Sequence, residues 1–555
     1  MDWVEEADNA DLSENVASRR LTAPEGAVRL NLIHNVRKTM FEDRHCGVRG
    51  NVSSNLPETI SHESPFWKEI AMNFFSRRDF LQGTAGLAAS LAGASMFEEA
   101  AEASQAQQPG NANERLNVAV IGVNGRGRDH VNGFAGKHNC HVTHICDVDT
   151  SVAGRAVAAA EKAQGVRPTV VQDLRRIMDN KNIHLVSIAT PNHWHSLAGI
   201  WAMQAGKHVY VEKPVSHNVF EGRRLVEISR STGKLCQAGT QIRSSSGCRA
   251  AIEFLRSGKL GELKVARGLC YKRRTTIGRA QGETAIPKTV DYDLWCGPAP
   301  RRPLTRLRLH YDWHWIWDYG NGDLGNQGIH QMDVARWGLN KNEMPRSVVS
   351  LGGRFGYTDD GQTANTQIAV MDYGTAKLIF EVRGLQTRDY RGASVGNVFE
   401  CTEGYLVFPN YTSAIAYDLK GTELRRFTGG GDHYANFVAA VRANRRQDLK
   451  GEVEEGHLSS ALCHLANISY RLGRATQFNG QNAAFGEDRD ANETFTRMRD
   501  HLSDANNAVP LDRTSYMMGR RLNIDIKTER FVNDDEANRF LTREYRKGFE
   551  VPARA

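Results

Sequence analysis

Nowhere in the 555 residues do two cysteines stand as a CxxC pair, although there are nine: Cys46, Cys140, Cys146, Cys236, Cys248, Cys270, Cys296, Cys401 and Cys463. That excludes zinc-ribbon and thioredoxin-like readings. An odd, scattered set also argues against a disulfide framework, so most of these thiols are expected to be small buried groups. Prolines are few, fifteen against fifty-one glycines, and no collagen-like period orders the glycines. No dense block of lysine and arginine accompanies the formal net charge of +7. The charge therefore reads as solvated surface and not as a nucleic-acid footprint. No apolar run reaches the ~20 residues that a helix needs to cross a bilayer. What remains is ordinary for a soluble globular chain, 40% hydrophobic and 8% aromatic, at a length that calls for two or more cores.

The first informative segment is Ser76-Arg77-Arg78-Asp79-Phe80-Leu81-Gln82, followed by the mildly apolar stretch GTAGLAASLAGASMF. A twin arginine, a Phe-Leu pair and a short Ala/Gly-rich run resemble a twin-arginine (Tat) export signal, with Ala101-Glu102-Ala103 as a small-x-small cleavage pattern. The expectation is a periplasmic or otherwise exported protein, handled by the Tat machinery and left without a stable membrane anchor after cleavage. Residues 1–71 show no helical or strand period. They are read as an extension that is not translated, if synthesis starts at Met72, or is removed or disordered, and residues 72–112 as signal and linker.

Beyond the linker, Asn117-Val118-Ala119-Val120-Ile121-Gly122 reads as a short buried strand. Gly122, Asn124, Gly125 and Gly127 then form a turn ahead of a helical segment. Strand, glycine turn and helix make the setting in which a pyrophosphate sits on a helix N-terminus. Asn124 replaces the middle glycine of the usual pattern, and asparagine tolerates positive φ better than most residues. The next strand, His141 to Cys146, ends at Asp147, about 20 residues past the last glycine, where a ribose-binding carboxylate belongs. Asp147 would repel a 2′-phosphate, so NAD is expected over NADP. Further strand-then-helix units follow at Leu185–Pro191 and His208–Pro214, the mark of a parallel sheet covered on both faces.

Thr190-Pro191-Asn192-His193-Trp194-His195 and Glu212-Lys213-Pro214 stand at predicted strand ends. With Trp295-Cys296-Gly297-Pro298 and Gly328-Ile329-His330-Gln331-Met332-Asp333, they resemble the signatures of the glucose-fructose oxidoreductase/inositol dehydrogenase (Gfo/Idh/MocA) family. The resemblance spans roughly residues 115–480, and the ending EANRFLTREYRKGFEVP looks like that of members carrying Tat signals. It implies an α/β fold: an N-terminal Rossmann domain and a C-terminal α+β domain with a large open, mostly antiparallel sheet. It also implies an NAD-dependent oxidoreductase acting on a sugar, cyclitol or sugar derivative, and a homo-oligomer. Carried over by position, Gly122, Asn124, Gly125 and Gly127 hold phosphate; Thr190, Pro191 and His195 line the cofactor cleft; Glu212 lies near the nicotinamide ribose. Lys213 faces the substrate, and His330 is the general acid/base, histidine having nearly the right pKa unaided.

One position departs from the pattern. Many family dehydrogenases place Asp four residues before the histidine, where this chain has Asn326. An amide orients a ring or binds a hydroxyl but does not stabilise an imidazolium as a carboxylate does. That keeps an NAD-dependent glycoside-cleaving enzyme or lyase in view, working by transient oxidation and elimination, and a non-catalytic sugar-binding protein as a third class. Export of a folded protein further implies NAD that is tightly held. The pairs His193/His195 and His310/His314 have no spaced third ligand, so no metal is expected.

The expected organisation is a Rossmann domain over 113–240, an α+β substrate and oligomerisation domain over 241–480, and an extended tail over 481–555. Val265–Tyr271, Ser347–Phe355, Thr366–Asp372, Ala376–Val382 and Asn397–Thr402 read as strands; His433–Ala443 and His457–Gly473 read as late helices. The segment from His310 to His330, dense in Trp, Tyr, His and Asp, suits a carbohydrate, although tryptophans taken singly are as readily core residues.

Overall fold

A computed structural model describes residues 114–478 and 485–554. The twin-arginine segment and Cys46 lie outside the described residues. The first half is a six-stranded parallel sheet in the order β3-β2-β1-β4-β5-β6: β1 (Leu116–Ile121), β2 (Cys140–Cys146), β3 (Thr169–Val171), β4 (Leu185–Ile188), β5 (His208–Val211) and β6 (Cys236–Ala238). Helices α1 (Gly127–Phe134), α2 (Ala153–Gln164), α3 (Arg175–Asp179), α4 (Asn192–Gln204) and α5 (Val219–Thr232) connect these strands. The order reverses between β1 and β4, and open α/β sheets bind ligands at the strand C-termini beside that reversal. Local chemistry sets the helix ends. The Asn218 side chain accepts from Glu221 N to start α5, and Gly233 ends it in the left-handed conformation that glycine adopts without penalty.

The second half opens with α6 (Ser246–Arg256) and β7 (Leu263–Tyr271), then a long excursion containing α7 (Tyr292–Cys296) and α8 (Gly322–Gly325), then α9 (Gly328–Leu339). Strands β8 (Ser347–Gly353), β9 (Thr366–Asp372), β10 (Lys377–Arg383), β11 (Val395–Cys401), β12 (Gly404–Phe408), β13 (Ser413–Asp418) and β14 (Glu423–Thr428) complete most of a large sheet. It is antiparallel apart from the β7–β10 pair. Helix α9 lies close over β7. A Cβ at Gly268 would stand 2.4 Å from the Phe380 ring of the neighbouring strand β10 and 3.3 Å from the Gln331 carbonyl oxygen of α9, so glycine suits this crowded position. Helices α10 (His433–Ala443) and α11 (Val453–Arg471) follow; α11 packs against α5 of the first domain and against α9 and β8 of the second, joining the two cores.

Residues 485–554 are not the extended tail expected from their polarity. They contain α12 (Arg489–Ser503), β16 (Ser515–Met518), β17 (Leu522–Asp525), β18 (Arg530–Phe531) and α13 (Asp535–Arg539), and β16 joins β15 (Arg474–Gln477) to the large sheet. Averaged polarity hides the period that matters here: Thr494, Phe495, Met498 and Leu502 recur on one buried face of α12. Charge fastens that helix to the sheet. Glu381, fully buried on β10, accepts from Arg497 of α12 at 2.7 Å, from Arg383 at 2.8 Å and from the Tyr271 hydroxyl at 2.7 Å. These cations hold its pKa down at about 2 against the upward push of burial.

The eight cysteines among the described residues are buried and unpaired. Among the described residues, no helix is long and apolar enough to cross a membrane.

The last residues return to the first domain. Phe549 packs edge-on against Trp194 of α4, with ring centroids 5.6 Å apart, and beside Trp201; Tyr545 donates to buried Glu221. This covering explains why α4 is buried on nearly every face. Phe549→Ala is expected to cost about 3 kcal/mol of stability by leaving a cavity over α4. Chemical denaturation measures it, and an unchanged midpoint would mean that the tail does not dock.

Candidate functional site

At the end of β1, Gly122 has φ +81, and an added Cβ would lie 2.7 Å from the Ala189 carbonyl. Gly127, the first residue of α1, would bring a Cβ to 1.7 Å from the Gly122 carbonyl oxygen. Gly125 has nothing within 4 Å of that position, so its backbone is open to close approach. Asn124 takes no positive φ; Gly122 bears the conformational demand, and the turn forms without the middle glycine. The start of α1 then presents backbone N–H groups of the kind that hold phosphate.

Asp147, 9% exposed, accepts from the Val123 N–H at 2.8 Å and from the Asp149 N–H at 3.0 Å. It splints the glycine turn to the end of β2, and a carboxylate has lone pairs to spare for ribose hydroxyls. Burial pushes its pKa up, and the two backbone donors pull it back. Beside it Asp149, also buried, meets His310 Nε2 at 2.9 Å. Two carboxylates at this spot disfavour a 2′-phosphate. His310 arrives from the excursion after β7, which also pairs with β2's exit through Asp149 and Val290 and through the Thr150 N–H donating to Thr289.

At the end of β4, Pro191 precedes α4, and the Thr190 hydroxyl is buried with no hydrogen-bond partner. An orphan hydroxyl on the cofactor edge fits a bound dinucleotide. His195 does not present its ring to the cleft as expected. It is buried, with Nδ1 2.6 Å from the Pro214 carbonyl oxygen and Nε2 2.7 Å from that of Thr190, so it ties two strand-end loops together from behind. The reason is local: His195 stands in the first turn of α4, five residues after Thr190, and that turn brings its ring back to the Thr190 carbonyl.

Glu212, at the end of β5 and 3% exposed, is the most heavily bonded group of the site. Its Oε1 accepts from Arg126 Nε at 3.1 Å, His130 Nε2 at 3.1 Å and Gln241 Nε2 at 2.9 Å; Oε2 accepts from the Lys213 N–H at 3.1 Å. Burial alone would raise its pKa, but Arg126 and His130 hold it well below the usual carboxylate range. Burial keeps the His130 ring neutral, so Nε2 donates to Glu212 and Nδ1 accepts from the Ser187 hydroxyl at 2.8 Å. Arg126, His130 and Gln241 escape a reading of motifs. Arg126 alone had a signal, its place inside the glycine fingerprint.

Lys213 reaches across to the second domain, where Nζ donates to the Asn326 carbonyl at 3.0 Å. Asn326 thus contributes its backbone oxygen. It also does not share a helix with His330, because the chain breaks between α8 and α9, with Asn326 at φ −85, ψ −86. Gly328 fits there against the Phe380 ring. His330 lies in the first turn of α9, buried, its ring 5.2 Å from that of Tyr411. The Gln327 side chain donates to the Tyr411 hydroxyl at 2.6 Å and accepts from Lys272 at 3.3 Å. Nearby, Arg274 grips buried Asp323 at 2.9 and 2.7 Å and donates to the Tyr311 hydroxyl at 2.8 Å. Among the aromatics, Trp295 and Trp315 are core residues, whereas Trp313 is half-buried and stacked on His314 at 3.6 Å. No group of three or more His, Cys, Asp or Glu among the described residues is arranged to hold a metal ion.

Residues 116–240 match the family model "Oxidoreductase family, NAD-binding Rossmann fold", and residues 262–504 match "Oxidoreductase family, C-terminal alpha/beta domain". Curated relatives include a glycosyl hydrolase family 109 protein of Shewanella putrefaciens, 30% identical over 206 residues, and an alpha-N-acetylgalactosaminidase of Shewanella oneidensis, 29% identical over 206 residues. Each alignment takes in 35% of this chain and 45% of the relative, so the chain spans about half the length of the curated relatives it matches. Similar solved structures include the WlbA dehydrogenase of Bordetella pertussis in complex with NADH and UDP-GlcNAcA, and levoglucosan dehydrogenase in complex with NADH and levoglucosan. Each has a TM-score of 0.47 at 18% identity, over 64% of this chain and 97% of the other.

The depressed pKa of Glu212 gives a pH signature. Its stabilisation is present above the unfolded-state pKa of about 4.3 and is lost as the pH falls through the lower folded value. Glu212→Gln is therefore expected to lose about 3 kcal/mol at neutral pH. The gap to the wild type should close in strong acid, as followed by denaturation at a series of pH values. A gap that stayed constant with pH would show that Glu212 does not fold as a carboxylate.

Proposed function

Because the chain belongs to the Gfo/Idh/MocA oxidoreductase family through both of its domains, we propose that it is an NAD-dependent oxidoreductase acting on a carbinol of a sugar, cyclitol or sugar derivative. The observation that carries this reading is the meeting of Lys213 with the Asn326 carbonyl, which brings the cofactor edge of the first domain to the junction that holds His330. NAD, when bound, supplies the hydride chemistry, and the chain has to hold the carbinol and move one proton. His330 takes the proton from the substrate hydroxyl, and Lys213, as a cation, stabilises the oxygen that loses it. Glu212 keeps the Lys213 backbone in place.

A tightly held nucleotide is part of the same reading. Its support is the excursion of the second domain that is hydrogen-bonded to the end of β2 through Asp149, Thr150 and His310. Export by the Tat route and assembly as a homo-oligomer belong to it too, on the strength of the sequence features alone. A second reading has its own support in the glycosyl hydrolase relatives: an NAD-dependent glycoside-cleaving enzyme that returns its cofactor to the starting state.

Denaturing natively purified protein and identifying the released small molecules by mass spectrometry is expected to yield NAD or NADH; protein that is empty and binds nucleotide weakly would overturn tight retention. Across a panel of sugars, polyols and glycosides, His330→Ala and Lys213→Ala should each lower turnover by about 100-fold while the nucleotide content stays the same. Unchanged turnover in both variants would remove these residues from the mechanism. Net NADH formed from a polyol supports the dehydrogenase, and aglycone released without net NADH supports the glycosidase.

A further inference from the structure

Between β6 and α6 the chain makes a single 3-10 turn, Gln241–Ser244, whose last three residues are buried. Its side chains leave in different directions, because residues two apart on such a turn diverge by about 120°. Gln241 Nε2 donates to Glu212 Oε1 at 2.9 Å and to the Tyr210 hydroxyl at 3.1 Å. Arg243 reaches α9 instead: Nε donates to Asp333 Oδ2 at 2.7 Å and Nη2 to Oδ1 at 2.9 Å. Asp333 stands three residues after His330, one turn along the same helix. The guanidinium also lies over the ring of Trp337, 5.3 Å from its centroid and a further turn along. One turn of backbone therefore joins the carboxylate that orders the cofactor edge to the helix that carries the histidine.

Neither end of this link has slack. Asp333 is 1% exposed and Arg243 6%. Buried charges of this kind persist only when fully bonded, and a two-pronged guanidinium–carboxylate pair fixes angle as well as distance. From α11, Ser459 donates to Asp333 Oδ1 at 2.7 Å, and Glu455 accepts from Arg243 Nη2 at 3.0 Å. The turn itself is held by His433, whose Nε2 donates to the Ala238 carbonyl at 2.8 Å and whose Nδ1 accepts from the Ser244 hydroxyl at 2.6 Å. On its sheet side α9 is held separately, by the Asn397 amide donating to the Gln331 carbonyl at 2.7 Å. The sheet thus sets how α9 lies within the second domain, and Arg243 sets how it lies relative to Glu212. A misplacement of about 1 Å between reacting groups is enough to slow a chemical step.

Resting on the oxidoreductase reading, we propose that Arg243 and Asp333 are positioning residues for His330: through the turn Gln241–Ser244 they fix its distance from Lys213 and from the nicotinamide edge that Glu212 orders. Neither residue touches the substrate or takes part in the proton transfer. Loss of the bond between them lets the start of α9 move against the cofactor edge while the glycine turn, Asp147 and Glu212 stay as they are. Nucleotide binding is then kept, and the chemical step suffers.

The test uses the full chain with its own nucleotide. In Arg243→Gln/Asp333→Asn both buried charges leave together, so neither is stranded, and Glu455 keeps its bond from Arg336. Ring-labelled histidine gives a magnetic-resonance signal for His330, assigned by its absence in His330→Gln. That signal should shift in the double variant, while the signal of His310, at the other end of the cleft, holds. With a substrate from the panel, kcat should fall about tenfold or more at unchanged nucleotide content. Arg243→Lys should fall between the wild type and the double variant in both readouts, because an ammonium group keeps the charge but not the two-pronged bond. Either a wild-type kcat or an unmoved His330 signal in the folded double variant overturns the inference. Should the double variant not fold, Arg243→Lys carries the same two outcomes. If the wild type turns over nothing on the panel, the oxidoreductase reading falls, and the His330 signal alone decides whether Arg243 and Asp333 position the ring.

Discussion

The Glu212 carboxylate is the point on which the site depends. Taking an ionised carboxylate out of water costs several kcal/mol, and only a full set of donors recovers that cost. Glu212 has such a set, and each donor comes from a different stretch of the chain. Arg126 comes from the glycine turn, His130 from α1, Gln241 from the chain leaving β6, and the Lys213 N–H from the loop that carries the substrate-facing lysine. Loss of any donor leaves buried charge partly unsatisfied, so the phosphate turn and the Lys213 loop cannot drift independently. Asp147 repeats the device on a smaller scale by accepting the Val123 and Asp149 N–H groups. Two carboxylates thus make a rigid cofactor edge from loops that would otherwise move.

The second domain meets that edge at several places. Near the end of β2, backbone bonds and the Asp149–His310 pair fasten the excursion after β7. At the start of α4, Asn192 bonds to Asn321, and His193 and Trp194 to the Trp295 carbonyl; past β5 the Asn321 amide donates to the His217 carbonyl while Lys213 donates to that of Asn326. Of these groups, Lys213 is the one that in the proposed reaction exchanges a carbonyl for a substrate oxygen. Helix α11 and the returning tail keep both domains in register behind the cleft, with Phe549 over α4 and α11 between α5 and β8.

Much of this was legible in the sequence where a single backbone demand or a strand end picks out the residue. Gly122 and Gly127 are needed for steric reasons that no side chain can meet, and Asp147, Thr190, Glu212 and Lys213 stand at predicted strand ends, where the sheet gathers them. The resemblance identified the motifs but not the bonds between them. His195 was placed in the cleft and is behind it, because motif membership does not say which way a ring faces. Asn326 was read as an amide aimed at His330, one helical turn away. The chain breaks there, and the carbonyl is what matters. Arg126, His130 and Gln241 were missed because their value lies in one buried carboxylate 29 to 86 residues away in sequence. Tail helix α12 was missed because a few apolar residues in a polar run reveal a buried face only through their period.

The absence of a carboxylate at position 326 bears on both readings of the chemistry. A carboxylate beside His330 would stabilise the protonated ring and let it keep the proton it takes. With Asn326 in that place, Lys213 donates to its carbonyl, and in the proposed reaction a substrate oxygen that loses its proton beside this ammonium group is favoured by the opposite charge. In the proposed oxidation that oxygen is the alkoxide of the carbinol, and a dehydrogenase then releases a ketone. A glycoside-cleaving enzyme that works by transient oxidation and elimination passes through the same alkoxide. The charge arrangement serves the step the two have in common, so the choice between them lies in what the cleft lets leave first, the oxidised sugar or its aglycone.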